Sequence, residues 1–438
     1  MDFELSCPSS DLPGYSPSAP LPSYSCELSC GERRLEHTPR SRSGHLQPSS
    51  VFVKKAGKTT IILNDQHEGV TVPSYGRQAL IHGNLVLEKS ESILEVVIKV
   101  EAKLDTTVSD GGAQSSKLLN DSYTLWSHRS QPSGTCPSQI PFSMPLPATF
   151  KHNGETSPLP PSYNAGFFSV PSLFVRSSYN IHVIISRIRH RKVDIWPKTK
   201  HILIPFTYAP RTRSHRPIIP SPCFFSSVKT SPEEWYQAVT NLKTRPNAQI
   251  SPITCHLFVP AGRIYGLTDT IPFHIQLSGS GCTLRDLFSQ SVLLDRVMSV
   301  DSHNTVASKK TMNTKPLLRV YILRQISVTM RGESSWKNNV IGEGTISPMP
   351  PESTTCCSSD DDPCQTEHID WEGEVRCGSD ITVGGFSAAN AQVKDFIVLT
   401  LSPPSPHSSP LLEMQVTVPI RLVTDSFTET VAIMDHAV

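Results

Sequence analysis

The sequence predicts an all-β protein made of two tandem β-sandwiches, with an N-terminal segment outside them and one short helix between them. Three observations carry this expectation. Short stretches in which apolar and polar residues alternate recur along the chain, the period of half-buried strands. Proline is abundant, 38 of 438 residues, and a residue without a backbone N–H breaks helices. A chain of 438 residues is also longer than one typical core supports, so two domains are expected.

Taken in order, residues 1–50 are rich in Ser and Pro and poor in aliphatic side chains. Such a segment buries too little apolar surface to offset its ordering entropy and is expected to be disordered. It holds two similar tetrapeptides, Leu12-Pro13-Gly14-Tyr15 and Leu21-Pro22-Ser23-Tyr24. The first sandwich is expected over residues 51–225. Thr59-Thr60-Ile61-Ile62-Leu63 reads as a strand and Asn64-Asp65 as its turn. Further on, Val96, Ile98, Val100, Ala102 and Leu104 face one way, while Lys99, Glu101 and Lys103 face the other, with Val97 an apolar exception. Asp110-Gly111-Gly112 reads as a turn or loop, and Tyr123-Thr124-Leu125-Trp126 starts another short strand. Tyr179, Ile181, Val183 and Ile185 alternate along the next, and a basic turn over residues 187–192 leads into Ile202-Leu203-Ile204-Pro205-Phe206.

Residues 226–250 read as a linker with a helix. Ser231 can cap it, Pro232 suits its first turn, Glu233 and Glu234 complement its dipole, and Trp235, Val239 and Leu242 form an apolar stripe. The second sandwich is expected over 251–438. Phe273, Ile275 and Leu277 alternate with His274 and Gln276, and Ile326, Val328 and Met330 with Ser327, Thr329 and Arg331. The run from Phe396 to Leu401 suits a strand buried on both faces. Met414, Val416 and Val418 begin a last strand close to the end, so no long C-terminal tail is expected. Polar insertions near 299–315 and 347–368 read as mobile loops, the second carrying Ser358-Ser359-Asp360-Asp361-Asp362.

Composition narrows the function classes. Lys+Arg number 40 and Asp+Glu 39, so no global charge draws the chain to nucleic acid. The N-terminus has neither a basic region nor an apolar one that would make a signal peptide, and no apolar run approaches a transmembrane span. The 11 cysteines are then expected to be reduced, in a cytoplasmic protein. Cys26 with Cys30, and Cys356 with Cys357 and Cys364, lack paired zinc-site spacing and read as loop thiols. Asp370, Glu372 and Glu374 would line one face of a strand, as carboxylates do in jelly-roll glycosidases, but their order differs from that pattern and an exposed face is the expectation. Nucleotide, hydrolase and metalloprotease motifs are absent, so no catalytic residue, cofactor or metal is expected.

A set of segments gives a more specific reading through its order. Tyr75, Ile81-His82-Gly83, Leu85 and Leu87 precede the strand over 96–104. Tyr123-Thr124-Leu125-Trp126, Leu159-Pro160-Pro161-Ser162-Tyr163 and Tyr208-Ala209-Pro210-Arg211 come next. Gly266-Leu267-Thr268-Asp269-Thr270-Ile271 and Gly384-Gly385-Phe386 with Val393-Lys394-Asp395-Phe396 follow. Over most of residues 58–424 the chain resembles the arrestin-like proteins, in their fungal arrestin-related trafficking-adaptor (alpha-arrestin) branch. The resemblance implies two tandem immunoglobulin-like β-sandwiches and a non-enzymatic adaptor. Such an adaptor binds a membrane transporter or receptor as cargo and recruits a HECT-type ubiquitin ligase through its WW domains, with peripheral recruitment to the plasma membrane or endosomes. A sorting scaffold for cargo or coat proteins without a ligase is the alternative, and a β-sandwich glycoside hydrolase the remote one.

Pro160-Pro161-Ser162-Tyr163 fits the P-P-x-Y ligand of WW domains, in which a preformed polyproline turn and a tyrosine fill an aromatic groove. A structural role inside the first sandwich competes with that reading. Leu12, Pro13 and Tyr15, and Leu21, Pro22 and Tyr24, match the consensus less well but sit in the more accessible segment. Arg187, Arg189, Arg191 and Lys192, and Arg211, Arg213 and Arg216, are candidates for phosphate or anionic-lipid contact, against the plainer reading of solvated loops.

Overall fold

The computed structural model describes residues 50–130, 134–190, 195–219, 223–248, 250–288, 317–349, 366–403 and 409–427. They belong to one compact unit. The architecture is an all-β sandwich fold. The N-terminal tetrapeptides, Arg191, Lys192, the 299–315 insertion and the serines beside Asp360 lie outside the described residues.

The first sandwich runs in order β1 (Ser50–Ala56), β2 (Thr59–Gln66), β3 (Ser74–Tyr75), β4 (Leu80–Leu87), β5 (Ile93–Val108) and β6 (Gly112–Ser127). It continues with β7 (Gln139–Pro145), β8 (Thr149–His152), β9 (Glu155–Pro158), β10 (Tyr163–Phe167), β11 (Leu173–His190) and β12 (Ile195–Tyr208). One sheet has the order β1-β2-β4-β7; the other has β3-β12-β11-β5-β6, with β10 beside β11. The expected alternation is present. Val96, Ile98, Ala102 and Leu104 of β5 meet Val175, Tyr179, Ile181 and Val183 of β11 in one core. Two expectations shift. Tyr123–Trp126 is the end of a 16-residue strand rather than the start of a short one. The basic segment belongs to strand β11 as far as His190, with Arg187 and Arg189 paired across the ladder with Lys198 and Trp196.

Between the sandwiches the expected helix is corrected. Pro232–Glu234 makes only a 3-10 turn, and the residues after it form β13 (Trp235–Asn241). The helix, α1, lies upstream at Phe224–Thr230. Trp235, Val239 and Leu242 suit a helical stripe, yet Tyr236, Ala238 and Leu242 fit the strand period and pack on the second core. The β-branched and aromatic content of this stretch favours the strand once β14 (Thr254–Pro260) is there to pair with it. The second sandwich therefore begins inside the segment read as a linker.

It continues with β15 (Ile264–Gly266), β16 (Ile271–Ser280), α2 (Gly281–Leu287), β17 (Leu318–Met330), β18 (Glu333–Pro348), β19 (Thr366–Val375), β20 (Phe386–Ala388), β21 (Ala391–Leu401) and β22 (Met414–Val423). The insertion read over 347–368 is shorter than expected, since β18 and β19 extend into both its ends. These strands form a single sheet in the order β13-β14-β16-β19-β18-β17-β21-β22-β15, with β20 beside β21. The sheet turns over at β18, whose first part pairs with β17 and whose last residues pair with β19. Close approach at the turn needs a residue without a side chain: a Cβ on Gly373 would lie 2.1 Å from the Thr345 carbonyl oxygen. Leu257, Ile275 and Trp371 from one half thus meet Ile322, Ile397 and Val418 from the other.

Strands β17 and β21 serve both cores. Val320 and Ile322 with Ile397 and Leu399 line the second core, whereas Ile326 and Val328 with Ala391 and Val393 line the first. No helix among the described residues is long and apolar enough to cross a membrane.

Candidate functional site

The changeover between the two cores is occupied by charge. Arg324 of β17 and Asp395 of β21 stand opposite each other in the register. Their side chains are 4% and 0% exposed. Arg324 Nε donates to Asp395 Oδ1 at 2.7 Å and Arg324 Nη2 to Oδ2 at 3.1 Å. A two-pronged bond of this kind satisfies both oxygens where water cannot. Gly385 keeps the space open, since a Cβ there would stand 2.8 Å from the Val393 carbonyl and 3.3 Å from Asp395 Oδ2. Cys377 lies in the same field, and burial, with the Asp395 charge adding to it, pushes its thiol up to about 12.

The 160–163 segment meets this seam. Pro160 is buried and Pro161, Ser162 and Tyr163 are half-buried. The Tyr179 hydroxyl donates to the Pro160 carbonyl. Ser162 N–H donates to the Tyr208 carbonyl at 2.9 Å, and Tyr208 N–H donates to Ser162 Oγ at 2.9 Å. Tyr163 opens β10, pairs with Ser177 of β11, and sets its ring edge-on to Phe386 with centroids 5.2 Å apart. Burial raises its hydroxyl pKa, and the Arg324 guanidinium opposes that rise. The P-P-x-Y consensus is thus tied into the first sandwich through Pro160, Ser162 and the β10 pairing of Tyr163, and its tyrosine ring meets Phe386 of the second sandwich's sheet.

The basic candidates separate. Arg187 is half-buried within β11. Arg211, Arg213 and Arg216 are exposed, but the segment carrying them is stitched to the residues that follow β22. Arg211 Nη2 and Nε reach Asp425 at 2.6 and 3.0 Å. Thr212 N–H donates to Thr424 Oγ1 at 2.7 Å, and Asp425 N–H donates to the Thr212 carbonyl at 2.9 Å. Arg216 instead borders a cavity of about 330 Å³, lined also by Cys223, Ser227, Trp235 and Pro260.

Two polar clusters bring together residues that the sequence placed on separate strands. Glu101, on the face of β5 opposite its apolar residues, is only 6% exposed. Lys103 Nζ and Lys99 Nζ lie 3.3 and 3.7 Å from its carboxylate, and His182 Nε2 lies 3.0 Å away. Burial raises the Glu101 pKa, but the Lys103 bond and the Lys99, Lys103 and His182 charges outweigh it and leave the carboxyl below its ordinary value. Burial lowers the pKa of His182, against the pull of Glu101.

The second cluster corrects the acidic row. Glu372 and Glu374 are exposed, whereas Asp370 is buried. His274 Nε2 lies 2.7 Å from Asp370 Oδ1, and Gln276 Nε2 donates to the same oxygen at 3.1 Å. Phe224 of α1 lies parallel on the His274 ring, with centroids 3.7 Å apart, and Trp235 Nε1 donates to Ser227 Oγ at 2.8 Å. Helix α1 therefore covers the His274 ring, whose other edge meets the one carboxylate of the three that is out of solvent. Among the described residues no group of His, Cys, Asp and Glu has an arrangement able to hold a metal ion. No protein-family model matches the chain, and no curated protein matches it.

Proposed function

We propose that the chain is an arrestin-like adaptor that binds a membrane transporter or receptor as cargo and recruits a HECT-type ubiquitin ligase, so directing cargo to ubiquitination and endocytosis. It acts in the cytoplasm, is recruited peripherally to the plasma membrane or endosomes, and performs no catalysis of its own. The observation that carries this reading is the placement of the ordered segments. Those up to Tyr208-Ala209-Pro210-Arg211 fall in the first sandwich, and those from Gly266 onward fall in the second.

Ligase contact is assigned to Tyr15 and Tyr24, with Tyr163 structural. A WW groove needs an extended backbone free on one side, and the 160–163 segment offers that only after local opening, which lowers apparent affinity by the open fraction. Titration of the full chain with isolated WW domains tests this. Tyr15→Ala with Tyr24→Ala should weaken binding and leave the denaturant melt unchanged. Loss of binding in Tyr163→Ala with an unchanged melt would instead make 160–163 the ligand. The hydrogen bonds that tie down 160–163 favour one second reading, a sorting scaffold for cargo or coat proteins without a ligase. Failure of the wild-type chain to bind any WW domain would select it.

A further inference from the structure

One end of the first sandwich gathers positive charge from both of its sheets. The β1–β2 turn brings Lys58 and the β4–β5 turn brings Lys89, and Glu88 N–H of the second turn donates to the Lys58 carbonyl at 3.1 Å. From the other sheet, Arg187 of β11 stands opposite Lys198 of β12 in the register. Lys200 of β12 donates its ammonium to the Ala56 carbonyl at the end of β1. Strand β11 is fixed at the same place, where Ile188 N–H donates to the Ser92 carbonyl of the β4–β5 turn at 2.8 Å. This charge is poorly compensated. The exposed Lys58 ammonium is held below its ordinary value, first by contact with the Lys89 ammonium and further by the Arg187 charge, with Glu88 pulling the other way. Arg187 also pulls down on the Cys136 thiol, which burial pushes up to about 11, so its guanidinium lies beside the rim of the core. The acids of this end, Glu88 and Glu91 of the β4–β5 turn and Glu95 of β5, are exposed. Among the described residues no carboxylate forms an ion pair with Lys58, Lys89, Arg187, Lys198 or Lys200.

We propose that this end of the first sandwich docks the phosphorylated headgroup of a membrane lipid, with Lys58, Lys89 and Arg187 as its contacts. The Arg187 guanidinium offers a planar fork suited to phosphate oxygens, and the lysines offer point charges beside it. A multiply charged headgroup placed between the two ammonium groups replaces their repulsion by attraction. The cations cluster at the tip of the sandwich rather than run along a strand edge. A layer of headgroups therefore meets them together, whereas a phosphopeptide would string its charges out along an extended chain. Clusters of lysine and arginine of this size suit an anionic leaflet, and their attraction is reversible and screened by salt. The proposal rests on the peripheral membrane recruitment stated above and gives it a place in the fold. Ligase contact is separate, and a chain that bound no WW domain would still be expected to bind this headgroup.

The test is flotation of the full chain with three kinds of vesicle: phosphatidylcholine alone, phosphatidylcholine with phosphatidylserine, and phosphatidylcholine with phosphatidylinositol bisphosphate, the last two at the same total lipid charge. Wild-type protein should float with the third, less with the second and not with the first, and added salt should release it. Lys58→Glu with Lys89→Glu should lower partitioning at least about tenfold. Its thermal melt should be no lower than the wild type's, because both side chains are exposed and repel each other. Arg213→Ala with Arg216→Ala, on the other exposed basic segment, should float as the wild type does. The site is overturned if the lysine variant floats equally well, or if the arginine variant is the one that loses binding; membrane recruitment then stands with its place elsewhere. Equal flotation with the two anionic mixtures would overturn it in favour of diffuse charge. Failure of the wild-type chain to float with any vesicle would overturn recruitment and site together. Binding of a multiply phosphorylated peptide that the lysine variant loses, with no binding to vesicles, would assign the cluster to a phosphoprotein instead.

Discussion

Strand β17 carries two arginines in ion pairs whose surroundings are opposite. Arg319 reaches Glu343 with side chains 41% and 57% exposed, and its guanidinium also lies over the Tyr321 ring at 4.6 Å. Arg324 reaches Asp395 at 4% and 0% exposure. The chemistry is the same, but the cost of breaking it is not. At the surface, water and salt replace a lost partner, and such a pair contributes little. At the seam nothing replaces it, and the remaining charge is stranded between two cores. Because both ions had to leave water, the intact pair adds little net stability compared with apolar residues of the same volume. Between these extremes stands Glu101, nearly buried but ringed by half-exposed lysines.

The largest effect should come from breaking the seam on one side only. Arg324→Ala or Asp395→Ala is expected to cost about 3–5 kcal/mol. Replacing both with apolar residues of similar volume should recover most of that loss. Denaturant melts of the four proteins check it, and a loss in the double variant as large as in the single ones would remove the distinction drawn between seam and surface.

Tyr163→Ala, which takes the ring away from Phe386, should cost about 1–3 kcal/mol. Tyr163→Phe should cost less, because the edge-to-face contact remains. Melts of the two variants separate the ring from the hydroxyl.

The intermediate cluster should show itself in pH. The Glu101 carboxyl is held below its ordinary 4.5 in the folded chain, so its contribution is present above that pH and is lost as pH falls through the folded value. His182 is held below its ordinary 6.5, so the unfolded chain takes up its proton first, and stability falls as pH drops below 6.5. Both act in one direction. The part of stability that this cluster supplies should decline as pH falls below 6.5 and continue to decline below 4.5. Glu101→Gln should cost about 1 kcal/mol at neutral pH and flatten the lower part of that decline. An unchanged slope in a melt-versus-pH series would remove Glu101 as its source.

The smallest effect is expected at the surface pair. Arg319→Ala should change stability by less than about 1 kcal/mol, and less still in high salt. A loss as large as that of Arg324→Ala would mean that exposure is not what separates the two.

Much of the fold could be read from local pattern. The period of two placed the core faces of β5, β11, β16 and β22, because alternation records burial one strand at a time. Trp235–Asn241 reads as helix in the sequence because its apolar residues suit either period over so short a stretch; pairing with β14, beyond any local rule, makes it a strand. The site residues were less legible. His274 and Gln276 were correctly set on the polar face of β16, but nothing in their spacing tells that Asp370 and Phe224 cover them. Arg324 and Asp395 are separated by 71 positions, and a charge in an apolar strand reads as an edge until its partner is known. Pro160-Pro161-Ser162-Tyr163 shows the converse. The consensus is plain in sequence, while the bonds to Tyr179 and Tyr208 that occupy it belong to the tertiary structure alone.

The sharing of β17 and β21 bears on how the chain can be divided. Two sandwiches in tandem suggest that a cut in the segment between them frees two independent folding units. It would instead leave Ile326, Val328 and Val393 facing water in the C-terminal fragment, and would strip the N-terminal fragment of one wall of its core. Each fragment would carry a sticky face complementary to the other. The natural product of such a cut is a pair of fragments that reassociate, or aggregate when kept apart, and the whole is better regarded as one cooperative body with two hearts than as two beads on a string.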